Sequence, residues 1–150
     1  MLAPLALGAC GFTPVYGTGG TGSTLQGNVE VVEPNTRAGF LATQRLEERL
    51  GRATNATYRL TLDIDTTEED LAVDREGNIN RFNLLGEAKY ALVEQETGRV
   101  VTSGVVNNFT SYSASGTTVS ELAAERDARR RLMTVLADQI VIRLVSADLT

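Results

Sequence analysis

The sequence predicts an α+β two-layer sandwich: two helices packed on one face of a roughly four-stranded mixed sheet, in the order β-α-β-β-β-α. Three observations carry this. Apolar residues alternate with polar ones over Tyr58–Ile64 and again over Phe82–Leu92, the period of strands with one buried face. Two other segments, about Arg37–Leu50 and Val119–Val145, repeat at the helical period instead. Turn chemistry at Asp74-Arg75-Glu76-Gly77-Asn78 and Glu96-Thr97-Gly98-Arg99 joins the strands into a meander.

In chain order, the folded part begins near Asn28. Val29–Val32 is a short strand run closed by Glu33-Pro34, because proline lacks a ladder donor. Thr36 is placed to cap the first helix and Gly51 to end it in a left-handed conformation. Phe40, Thr43, Leu46 and Leu50 mark its buried side. Tyr58, Leu60, Leu62 and Ile64 then face one way from the second strand, with pairing continuing irregularly to Val73. In the third, Phe82, Leu84, Ala88, Tyr90 and Leu92 share a face against Arg81, Asn83, Glu87 and Lys89. The fourth runs from Val100 to about Tyr112, with Val101, Val105 and Phe109 on one side. The closing helix, capped by Thr118 or Ser120, carries a stripe of Leu122, Met133, Leu136, Ile140 and Leu144 widened by Leu132 and Val141. A sheet with one apolar face leaves the other polar, and open to a partner.

Composition removes several function classes. The 150 residues contain no histidine and one cysteine, which excludes histidine-based triads, histidine-ligated zinc, an internal disulfide and a CxxC pair. A net charge of -5 argues against nucleic acid, whose phosphates demand a concentrated basic surface. No run of apolar residues is long enough for a spanning helix.

The acidic run Asp63, Asp65, Glu68, Glu69 and Asp70 lacks the spacing of a calcium loop and reads as a solvated strand end, so neither metal nor cofactor is expected. Glu125 to Arg129 and Asp127 to Arg131 form acid-first i,i+4 pairs, which neutralise most of the basic cluster on the last helix. The stretch Asn107–Thr118 is rich in serine, but no base is in view to activate a nucleophile. Its Ser111, Tyr112, Ser113, Ser115, Thr117 and Thr118 are a candidate contact loop for a partner.

Cys10 follows a short apolar run ending Leu7-Gly8-Ala9-Cys10, leaving a free thiol or an attachment point as its roles. The four residues resemble the lipobox of bacterial lipoproteins, which implies residues 1–9 as the remnant of a signal peptide and Cys10 as the lipid attachment site. Gly17–Thr24 reads as a flexible linker, so that 10–27 form a lipidated N-terminus and linker and 28–150 a single domain.

Cys10-Gly11-Phe12-Thr13-Pro14-Val15-Tyr16-Gly17 resembles the opening of mature alphaproteobacterial LptE, the lipopolysaccharide-assembly lipoprotein. Glu125–Ala128 and Leu136–Leu144 are similar to that family's C-terminal helix. The resemblance implies a non-enzymatic outer-membrane lipoprotein that plugs an LptD-like β-barrel and assists delivery of lipopolysaccharide. Arg75, Arg81, Lys89 and Arg99 are candidate contacts for the lipopolysaccharide phosphates. Two other classes stay open: an auxiliary lipoprotein of an ABC-type lipid transporter, and a small enzyme using Asp63, Asp65 or Ser111.

Overall fold

The computed structural model describes residues 20–32, 34–73, 79–114 and 116–149. Seven elements follow in order: α1 (Thr21–Leu25), β1 (Val29–Val32), α2 (Arg37–Leu50), β2 (Tyr58–Val73), β3 (Ile79–Glu94), β4 (Val100–Ser113) and α3 (Thr118–Val145). The strands form one sheet in sequential order, β1-β2-β3-β4. β1 runs parallel to β2, as the α2 crossover requires, and the remaining pairs are antiparallel. This is the expected mixed sheet with helices on one face, with one helix more than the sequence suggested.

That extra helix moves the start of the fold. Leu25 is fully buried in the core, and Gly27 N–H donates to the Leu50 carbonyl at 2.7 Å. A helix packed into the core therefore already precedes Asn28, the expected start of the fold. Of the anticipated linker, 21–24 enter this helix behind Gly20 at its N-cap; 17–19 lie outside the described residues, as do Cys10 and residues 74–78 of the expected turn.

The helices begin and end where local chemistry dictates. Thr36 Oγ1 accepts from Gly39 N–H at 3.0 Å, capping α2 as expected. Gly51 ends it at φ 76°, ψ 150°, a region beyond the left-handed helical one and open in practice to glycine alone. For α3 the cap is Thr117, not Thr118 or Ser120. Its hydroxyl accepts from Ser120 N–H, and Ser120 Oγ accepts in return from Thr117 N–H, a capping box.

Between sheet and helices lie Leu60, Leu84, Ala88 and Leu92 from the strands and Leu132, Met133, Leu136, Ile140 and Leu144 from α3. α3 packs tightly on β3 at Gly86, where a Cβ would stand 2.9 Å from Leu136 Cδ1 and 3.0 Å from Leu132 Cδ2. α2 contributes Ala38, Ala42, Leu46 and Leu50. Two expected core residues are outside it: Phe40 is 49% exposed and Leu122 43%. Phe40 gives way because small Ala38 and Ala42, not the aromatic ring, allow α2 to sit close. Leu122 lies on the first turns of α3, where residues 118–123 are all exposed. A bidentate pair ties the two helices, Arg45 Nε and Nη2 donating to the Asp138 carboxylate at 3.0 and 3.1 Å.

Candidate functional site

The face of the sheet turned away from the helices carries the odd-numbered residues of β2 and β3 and, from Ser103 on, of β4, since side chains alternate along each strand. At the β1 end it is knit by polar contacts: Arg59 pairs with Glu30 at 3.3 Å and donates to Gln95 Oε1 at 3.0 Å, while Gln95 Nε2 donates to Glu30 at 3.2 Å. Further along, Lys89 stands opposite Asp63 in register and near Glu87, Nζ to Oε1 3.7 Å. The face is not uniformly polar, contrary to the expectation from alternation. Val105 and Phe109 of β4 are 51% and 60% exposed there, with Leu85 paired to Phe109 across the ladder. An open hollow of about 490 Å³ lies beside them, bounded by Asp65, Glu69, Glu87 and Asn107.

The candidate contact loop divides into strand and cap. Tyr112 is buried: it stacks on Phe82 with ring centroids 5.3 Å apart, and its hydroxyl donates to Glu68 at 2.7 Å. Burial, then Glu68, pushes its ionisation well above the ordinary phenol range. Ser111 and Ser113 are exposed at the end of β4, Ser111 Oγ donating to Asn83 Oδ1 at 2.6 Å. Thr117 and Thr118 open α3 in solvent; Ser115 lies outside the described residues. Ser111, Ser113, Thr117 and Thr118 therefore share one end of the molecule, with Tyr112 beneath them.

The candidate basic residues are strung out. Arg81 and Lys89 are eight positions apart on β3, about 27 Å at strand rise. Arg99 sits at the opposite end in the β3–β4 connection, near Glu94 at 3.7 Å and donating to the Leu149 carbonyl at 3.5 Å. Arg75 lies outside the described residues. Asp63 and Asp65 are exposed on the outer face of β2, and Ser111 faces an asparagine.

Sequence reasoning missed a basic groove of about 670 Å³ between α2 and α3, lined by Arg37, Leu41, Ala123, Arg126, Arg129 and Arg130. Arg129 and Arg130 pair with Glu125 and Asp127 at 2.8 and 2.9 Å, as helical spacing suggests for the first. Arg37 and Arg126 have no carboxylate partner among the described residues. Their meeting depends on how α2 lies along α3, which no local pattern encodes. No helix among the described residues is long and apolar enough to cross a membrane.

A sequential mixed sheet with helices on one face, and surfaces made of scattered charges, hydroxyls and open main chain, defines a small α+β scaffold suited to contact. The chain belongs to the LptE lipopolysaccharide-assembly family, whose model matches residues 26–144. Its fold is similar to a lipoprotein candidate from Caulobacter crescentus CB15, at TM-score 0.72 and 22% identity over 84% of this chain and 93% of that one. It is similar also to the rare lipoprotein B of Shewanella oneidensis, at TM-score 0.60 and 14% identity, covering 79% and 92%. A minor lipoprotein from Acinetobacter baumannii gives TM-score 0.58 and 15% identity, covering 79% and 89%. No curated protein matches the chain by sequence.

Proposed function

We propose that this chain is an outer-membrane lipoprotein, anchored through lipid on Cys10, that plugs and supports an LptD-like β-barrel and assists lipopolysaccharide assembly at the cell surface. The observation that carries the reading is the family match across 26–144. Physical chemistry is compatible with it. The lumen of a large outer-membrane barrel is polar, so a plug needs hydrogen-bonding groups spread over its surface. Ser111, Ser113, Thr117 and Thr118 at one end and the charged outer sheet face supply them. A single acyl chain holds a protein weakly, whereas several chains together with the barrel hold it firmly. Arg81, Lys89 and Arg99, with Arg75, are proposed to meet lipopolysaccharide phosphates as separate contacts along the face.

The test separates anchor from contact. A Cys10→Ala protein exported through a substitute signal should still copurify with the barrel in detergent. Ser111→Glu combined with Ser113→Glu and Thr118→Glu should release it, with circular dichroism unchanged. An unlipidated protein that stays partnerless, or recovers only a cytoplasmic-membrane transporter, overturns the reading in favour of an auxiliary transport lipoprotein.

A further inference from the structure

The two edges of the sheet are unequal. β1 is four residues long and guarded by the Glu30–Arg59–Gln95 contacts. β4 is fourteen residues long, VVTSGVVNNFTSYS, without a charged residue or a proline. Proteins ordinarily blunt a long edge with such residues, because its unpaired N–H and C=O groups are a template for another strand.

Ladder parity shows which groups are open. Ala114 N–H donates to the Asn80 carbonyl on β3 at 3.1 Å, so even-numbered residues of this part of β4 turn their main chain inward and odd-numbered ones turn outward. Two outward groups are covered by the protein's own side chains. Phe109 N–H donates to Asn108 Oδ1 at 2.8 Å, and the Ser111 carbonyl accepts from Arg131 at 3.3 Å. Both sit toward the C-terminal end of the strand. Ser103, Val105 and Asn107 keep their donors and acceptors turned to the open edge.

Next to this uncovered stretch is a groove of about 530 Å³ between β4 and α3, lined by Val105, Asn107, Gln139, Ile142, Arg143 and Ser146. Ile142 is 59% exposed beside it, and Arg143 has no carboxylate partner among the described residues. Open main chain, an apolar side chain and a guanidinium without a carboxylate partner among the described residues thus line one channel.

We propose that the β4 edge receives an extended segment of a partner protein as a fifth strand, its main chain pairing with Ser103, Val105 and Asn107. Alternate side chains of the added strand point toward α3, where an apolar one covers Ile142 and a carboxylate meets Arg143. Arg143 calls for a carboxylate on the added strand, and a second copy's β4 offers none, so the occupant is a different protein. The inference rests on the edge and groove alone and stands whichever protein supplies the strand.

The test uses the full chain and a blocked synthetic peptide, TVTVTDTVT, whose valines and aspartate share one side. At millimolar concentration the peptide should slow amide exchange at Ser103, Val105 and Asn107. Its lysine counterpart, TVTVTKTVT, should bind about tenfold more weakly. Arg143→Glu should reverse that order, which a damaged fold would not do. Val105→Pro should abolish binding; the N–H it removes makes no ladder bond, and Gly104 before it tolerates proline. The proposal is overturned by peptides that leave these amides unprotected, by equal binding of the two, or by β4-mediated dimers of the chain in sedimentation.

Discussion

The two ends of this molecule share β2, β3, β4 and α3 and are held in different ways. At the end where β1, α1 and the C-terminal half of α3 meet, Leu25, Leu60, Leu92, Ile140 and Leu144 are fully buried. At the other, β2 and β3 run past the last β1 pairing at Thr61, and α3 runs ten residues before its first fully buried side chain, Ala128. Leu71 is 50% exposed there and Val119 79%. Stability in a fold follows buried contact, so the first end should open only with global unfolding and the second at lower cost. The surface formed by Ser111, Ser113, Thr117 and Thr118 lies at the thinly buried end, whereas the β4 edge channel lies beside the well-buried half of α3.

The largest expected effect comes from making one substitution at two points of the same helix. Leu136→Ala removes a fully buried side chain against Gly86 and should cost about 2–5 kcal/mol. Leu122→Ala, fourteen residues earlier on exposed helix, should stay within about 0.5 kcal/mol. Urea denaturation of both variants measures the difference. Similar losses would mean that the first turns of α3 are packed against something the isolated domain also carries.

An intermediate effect is expected at Tyr112, the buried residue that anchors the thinly buried end. Its ionisation is raised in the fold, by burial and then by Glu68. The unfolded phenol loses its proton near pH 10. Below that pH the contribution of the neutral hydroxyl is fully present; as pH rises further the unfolded chain ionises first, and stability falls. Tyr112→Phe should cost about 1 kcal/mol at neutral pH and flatten the decline above about pH 10. A wild-type alkaline decline that survives unchanged in Tyr112→Phe would assign it to other groups.

What the sequence made legible follows the same division between local and distant causes. Thr36, Gly51 and the Glu96–Arg99 turn depend on chemistry within a few residues; Thr36 and the turn serve as expected, and Gly51 ends α2 at a positive φ but outside the left-handed helical region expected of it. β4 was harder, since both of its parities hold apolar residues: Val101, Val105 and Phe109 on one, Val106 and Tyr112 on the other. Pairing with β3 settles the matter: it turns Val105 and Phe109 outward, while Val101, at the irregularity between Val100 and Thr102, packs against the core. Leu25 was hidden by its neighbours, because glycine, serine and threonine around one leucine show no amphipathic period, and its burial depends on α3 lying across it. Of the surfaces, the exposed serines and threonines could be anticipated from composition. The α2–α3 arginine groove and the β4 edge channel could not, since each joins residues brought together only by helix placement.

The smallest effect sharpens the comparison most, because it holds chemistry constant. Thr36 and Thr117 are both N-caps whose hydroxyls accept from the third residue of the helix, at 3.0 and 3.3 Å. Behind Thr36 the chain is buried at once, at Ala38 and Gly39. Behind Thr117 the next six residues are all exposed. Loss of a cap frays whatever it closes, and the loss reaches global stability only where the frayed turn is needed for packing. Thr36→Ala should therefore lower global stability by about 1 kcal/mol. Thr117→Ala should change it by only a few tenths, about what an exposed-surface substitution does, while amide exchange over Thr118–Leu122 quickens severalfold. Restoring a cap with Thr117→Asp should slow that exchange again, since an aspartate accepts from the same N–H and complements the helix dipole. Equal global losses from the two alanine variants would show that the start of α3 is part of the cooperative core, and would remove the low opening cost on which the contrast between the two ends depends.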